Sequence, residues 1–155
     1  MQQTLKAWDT INGALASVYI VKNGQRTLAM NVKDLEAKVS KNKREIKVLG
    51  NAGSKHKSAG WSGTGTLTMY YGTSALREAM LDYMETGKDT YFEIIVTNSD
   101  PSSDIGEQTV QLTGVNFDDT ILAKVDINST ELDESLAFTF QGANMLNKFK
   151  EYVGE

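Results

Sequence analysis

The only histidine of the chain, His56, lies between Lys55 and Lys57 and is the first place to look for chemistry. A neutral imidazole can accept a proton or bind a metal. Catalysis would also need a nucleophile or acid within reach and a group that orients the base. No neighbouring pattern supplies them, so His56 reads as a solvated loop residue. Asp126-Ile-Asn-Ser-Thr-Glu131 has the oxygen-rich character of a calcium loop. It lacks the glycine at the sixth position, and Ala137 stands where the twelfth-position acid belongs, so a charged turn between strands fits better. Gly60, Gly63 and Gly65 precede a strand pattern and no helix, which excludes a dinucleotide fingerprint. Asn128-Ser-Thr130 matches a glycosylation acceptor, but Met1-Gln-Gln-Thr-Leu-Lys carries no apolar signal segment. The chain has no cysteine, so disulfides and thiolate metal sites are excluded. The expectation is a protein that is not an enzyme and carries no cofactor or metal.

What remains is electrostatic. Lys41, Lys43 and Arg44 stand close in sequence to Lys55 and Lys57, and such a set can meet phosphate. The whole chain nevertheless has a net charge of −4, whereas nucleic-acid binders present a broad basic face with interleaved aromatic residues. A basic loop on an acidic protein reads better as a protein-interaction patch or plain solvated surface. No apolar run approaches the roughly 20 residues of a membrane-spanning helix.

These cations are positioned by one long hairpin, residues 32–71. Its first arm alternates Asp34, Glu36 and Lys38 with Leu35, Ala37 and Val39. The second alternates Thr66, Thr68 and Tyr70 with Leu67, Met69 and Tyr71. Period-two patterns of this kind predict strands with one buried and one wet face. Residues 41–49 continue the first arm with charge on both faces, so that part is expected to project beyond the body. Between the arms, residues 49–61 form a glycine-rich, cationic stretch longer than any hairpin turn needs, expected as a binding loop. A length of 155 residues suits one domain. Its N-terminal arm covers about residues 1–16, and the long hairpin loop covers about residues 42–62.

The rest of the chain reads as mainly β. Residues 17–21 and 27–30 form strands around an Asn23-Gly24 turn, whose residues tolerate positive φ. Residues 74–84 are the one convincing helix, with Leu76, Ala79, Met80 and Tyr83 at helical spacing. Thr73 or Ser74 is the candidate N-cap and Gly87 the stop. Strands are predicted at 91–97, 108–117 and 121–127, and again around Leu136, Phe138 and Phe140. An exposed loop is expected at 98–106, and residues 143–153 read as a short helix or docking tail. Trp8, in an otherwise patternless arm, points to docking onto its own domain or a neighbour.

Lys41-Asn-Lys-Arg-Glu-Ile-Lys-Val-Leu-Gly50, His56-Lys57 and Gly60-Trp-Ser-Gly-Thr-Gly-Thr-Leu-Thr68 together resemble the tail tube proteins of contractile-tailed phages. The nearest likeness is to the type in the defective prophage PBSX and in phage-tail-like bacteriocins. The resemblance continues through the Gly87 turn to Tyr91-Phe92, Gly114-Val-Asn-Phe-Asp118 and Phe138-Thr-Phe140, and covers most of the chain. It implies an antiparallel β-sandwich or barrel with one flanking helix, similar in fold to the type VI secretion tube protein. It also implies hexameric rings that stack into a tube inside a sheath, with baseplate and tail terminator proteins as partners. Such a protein is expected in the bacterial cytoplasm during assembly and afterwards in a virion or tail-like particle.

On that resemblance, Trp8, Lys43, Arg44, Ser54, Lys55, His56, Lys57 and Trp61 become candidates for contacts between subunits and rings. Asp34, Glu36, Lys38, Thr66, Thr68, Thr109, Gln111 and Thr113 become candidates for a polar lumen wall, past which DNA would slide without specific binding. The competing reading of the same residues is a monomeric β-sandwich binding module that recognises a protein or glycan through the 50–61 loop.

Overall fold

A computed structural model describes residues 4–29, 31–72 and 74–150. The expectations for Met30, Thr73 and the tail from residue 151, Val153 included, lie outside the described residues. The chain forms β1 (Ala16–Lys22), β2 (Gln25–Leu28), β3 (Val32–Ile46), β4 (Lys55–Tyr70), α1 (Ala75–Thr86), β5 (Phe92–Ser99), β6 (Glu107–Phe117), β7 (Asp133–Phe140) and β8 (Gly142–Asn147). All strand pairs are antiparallel, in the order β2-β1-β5-β6-β7-β4-β3, with β8 on β6. Mainly β architecture with a single helix is what the alternation predicts.

One strand serves two sheets. The first part of β6 pairs with β5 and β8, while Asn116 and Phe117 at its end pair with Thr139 and Phe138 of β7. The switch is made at Gly114, whose φ is +63°. There the register slips from Ile94–Leu112 to Phe92–Val115, so β6 holds one residue more than β5. An extra residue with a left-handed glycine is a β-bulge, which bends the strand. The first sheet therefore holds β2, β1, β5, β6 and β8, and the second holds β3, β4 and β7 with the end of β6.

The core lies between them. Leu67, Met69, Leu136 and Phe138 of the second sheet meet Ile94, Leu112 and Val115 of the first, all buried. Phe117 stands edge-on to Phe92 and Phe138, at 5.7 and 5.8 Å between centroids, a favoured geometry for aromatic pairs. α1 buries Leu76 and Ala79 in the same cluster. It is fastened there by an ion pair from Arg77 Nη2 to Glu134 Oε2 of 2.8 Å, with the guanidinium 4.0 Å from the Tyr71 ring centroid. Ser74 is the N-cap, though its hydroxyl caps no backbone donor, and Gly87 closes the helix in the left-handed region at φ 73°.

Three expectations are corrected. Residues 121–127 are irregular, not a strand, because no strand edge accepts them: Val125 and Ile127 are 96% and 97% exposed. Residues 142–147 form β8 instead of a helix, since the free edge of β6 supplies hydrogen-bond partners that outweigh a helical spacing too short to hold alone. Residues 55–61 are also extended, paired with 41–46, so the open loop shrinks to 47–54.

Candidate assembly interface

Beyond Gly63, β3 and β4 leave the sandwich as a two-stranded ribbon. Opposite residues are Lys41–Trp61, Lys43–Ser58, Arg44–Lys57, Glu45–His56 and Ile46–Lys55, with a register shift after Lys41. Nearly every residue from 36 to 62 is exposed. Strand alternation puts Arg44, Lys55 and Lys57 on one face with Ile46, and Lys43, Glu45, His56 and Ser58 on the other. Arg44 and Lys57 face each other directly, an arrangement that destabilises a ribbon standing alone. At the tip, Ser54 Oγ donates to Glu45 Oε1 at 2.9 Å, and Asn51 Oδ1 accepts from the Gly53 amide. Trp61, at the root, lies 6.4 Å from Phe140 between centroids and is half exposed. The structure thus gathers Lys43, Arg44, Ser54, Lys55, His56 and Lys57 on one projecting element.

Trp8 is elsewhere. It sits in a single 3₁₀ turn, Ala7–Asp9, with Lys6 Nζ 5.3 Å above its ring. Its carbonyl accepts from the Asp104 amide at 3.0 Å, and Asp100 Oδ2 accepts from the Asn12 amide at 2.9 Å. The arm is tied to its own loop through the backbone, while the indole stays half exposed.

The eight polar-face candidates divide between the two sheets. Asp34–Thr68–Ser135, Glu36–Thr66–Ala137 and Lys38–Thr64–Thr139 stand in rows across the second sheet, on the face away from the core. Thr109, Gln111 and Thr113 point outward from the first sheet. There Thr109 and Thr97 share a hydroxyl hydrogen bond of 3.1 Å, and Gln111 Nε2 donates to Glu93 Oε2 at 3.1 Å. In that second group Thr109 is buried and Gln111 and Thr113 are half-buried, mixed with Tyr19 and Ile95. A wall made by one sheet can contain only one of the two groups.

The glycine spacing hid a structural role. A Cβ on Gly63 or Gly65 would strike the rings of Phe140 and Phe138, which lie across them. Gly-x-Gly matched to Phe-x-Phe at the same period of two was the available signal. No group of His, Asp and Glu side chains able to hold a metal occurs among the described residues.

The sequence profile of the family described as "Phage tail tube protein" matches residues 3–147. This chain belongs to that family. It is a structural family, not an enzymatic one. The chain is 36% identical over 147 residues to the phage-like element PBSX protein XkdM of Bacillus subtilis (strain 168), covering 95% of this chain and 97% of that one. Its fold is similar to that of a chain in the anti-feeding prophage baseplate (TM-score 0.63, 12% identity, 94% of this chain and 97% of that one). It is also similar to one in the sheath–tube complex of the extracellular contractile injection system PVC (TM-score 0.61, 10% identity, 83% and 86%). At such identities the likeness is one of fold. Membership of the tail tube family and the β architecture with one helix are what the sequence resemblance implied.

Proposed function

We propose that this tail tube protein builds the inner tube of a contractile tail or tail-like particle as stacked hexameric rings, with the outer face of the second sheet lining a polar channel. One observation carries the reading: that face is hydroxyl- and carboxylate-rich and flanked by open strand edges. β3 ends the strand order, and β7 pairs with β6 only at Phe138 and Thr139, so no strand covers its first half, where the Asp118 amide and the Lys124 ammonium reach the Ala137 and Asp133 carbonyls. Unpaired edges are a hazard for a soluble monomer, and closure into a barrel removes it. Six copies joined β3 to β7 would make a continuous wall of Asp34, Glu36, Lys38, Thr66 and Thr68. Thr109, Gln111 and Thr113 then face outward, toward a sheath. Acidic and hydroxyl groups offer a DNA polyanion no binding site, and repulsion reaches only about 8 Å at physiological ionic strength. Sheath, baseplate and terminator proteins are the partners that such a tube requires.

Negative-stain electron microscopy of concentrated protein, with light scattering for mass, tests the reading. Hollow tubes with six-fold rings are expected. A monomer that stays monomeric at every concentration, and in the presence of a tail extract from the same particle, would overturn it.

A further inference from the structure

The charge of this chain is divided between its two ends. The projecting part, residues 41–62, holds six of the sixteen lysines and arginines and a single acid, Glu45. Nineteen of the twenty acids therefore lie elsewhere. Outside the ribbon, α1 with its flanks (74–89) and the irregular segment 118–133 together hold nine acids against three basic residues. Two of those three are already engaged, Arg77 with Glu134 and Lys124 at the Asp133 carbonyl, while Lys33 from β3 also pairs with Asp133.

Segment 118–133 starts beside β7, where the Asp118 amide donates to the Ala137 carbonyl, and runs away from the ribbon until Lys124 Nζ reaches the Asp133 carbonyl. Gly63, where the ribbon leaves, faces Phe140, whereas Tyr70 faces Asp133, where segment 118–133 ends. Seven strand steps separate them, about 23 Å, and the ribbon points further away. A chain cannot bring its own cationic tip to its own acidic end.

Both ends also expose apolar side chains. Val125 and Ile127 are 96% and 97% exposed on the acidic side, and Leu49 at the ribbon tip is 100% exposed. Among the described residues, the strand-like alternation that carries Val125 and Ile127 meets no partner strand. From this complementarity, and resting on the tube reading above, we propose that segment 118–133 is the receptor for the ribbon of a second copy. Lys55 and Lys57 meet Asp126 and Glu131, and Val125 and Ile127 pack against Leu49. A contact that joins unlike ends without closing generates an open filament. It therefore fixes the polarity of the stack as well as its existence.

A reciprocal charge reversal tests the pairing. Lys55→Glu/Lys57→Glu and Asp126→Lys/Glu131→Lys each place like charges face to face. Each is expected to raise the concentration needed for tube formation at least about tenfold, with unchanged circular dichroism. In a mixture the two variants can alternate, reversed ribbon on reversed receptor and native ribbon on native receptor, so that every contact is attractive and tubes are expected to recover. The four-fold variant in one chain restores attraction at every contact and is expected to recover tubes. As a second arm, the chain has no cysteine, so Leu49→Cys with Ile127→Cys should give a ladder of disulfide-linked oligomers on oxidation, and either alone at most dimers. Wild-type-like assembly of both reversed variants, or a four-fold variant that folds without assembling, overturns the docking while leaving the tube reading intact. Wild-type protein that never assembles overturns the tube reading and the docking together.

Discussion

Gly65 has no side chain because Phe138 occupies the place where one would stand. A Cβ there would meet that ring and also lie 2.7 Å from the Glu36 carbonyl oxygen. The backbone on the other side is fixed by the β3–β4 ladder, so the strain cannot be relieved by a side-chain rotation alone. Gly65→Val is therefore expected to destabilise the fold by about 1–3 kcal/mol, the usual cost of overpacking, measured as a lower midpoint in urea with an unchanged slope. A second residue-scale effect is set by charge. The Lys33 ammonium donates to Asp133 Oδ2 at 2.9 Å, and that bond, then the lysine's charge, holds the Asp133 carboxyl below the usual carboxylate range. The same bond raises Lys33. A carboxyl lowered in the folded state stabilises above its unfolded pKa, and that contribution fades as pH falls through the acid range. Wild type should thus exceed Asp133→Asn in unfolding free energy at neutral pH, and the two should converge as the pH drops below about 4. A difference that persists undiminished in acid would mean that the pair is not the cause.

Elements depend on where the chain finds a partner, and this is where sequence and structure part. The helix was legible because Leu76, Ala79, Met80 and Tyr83 repeat at its own period and Gly87 ends it. β3, β4 and β7 were legible because their alternation places one face in the core. Residues 121–127 alternate just as well, yet a strand needs a free edge within reach, and periodicity does not report edges. β8 was missed for the converse reason: Ala143, Met145 and Leu146 look helical until the open edge of β6 beside them is known. The two-faced ribbon could be seen to project, but its pairing through residue 61 could not, because its glycines imitate a loop. The sheet-to-sheet transfer at Gly114 was likewise hidden. A Cβ there would lie 2.8 Å from Gln141 Cβ in a backbone with φ +63°. Gly114→Ala is expected to cost about 1–3 kcal/mol. Gly13→Ala, with nothing within 4 Å of its added carbon, should stay within about 0.5 kcal/mol. Equal effects at the two sites, read by thermal unfolding, would show that the bend at Gly114 is not enforced by the glycine.

At the scale of the whole molecule, the body and the ribbon have separable jobs. Among the described residues every buried apolar side chain lies in the body, none of them between residues 40 and 62. A two-stranded ribbon is marginal by itself, and this one opposes Arg44 to Lys57 across its strands. Its stability must come from contacts outside the chain, and removing it should cost the isolated subunit almost nothing. Lys41 faces Trp61, so a two-residue Asn-Gly turn replacing residues 42–60 joins strands already in register, like the Asn23-Gly24 turn between Lys22 and Gln25. Keeping Trp61 preserves its contact with Phe140, worth about 0.5–1.5 kcal/mol. The shortened chain is expected to unfold within about 1 kcal/mol of wild type and to form no tubes under conditions where wild type does. Loss of folding would assign the ribbon to the core of the subunit. Tubes of normal length from a well-folded short chain would remove the ribbon from assembly, and leave the paired edges of β3 and β7 to carry it alone.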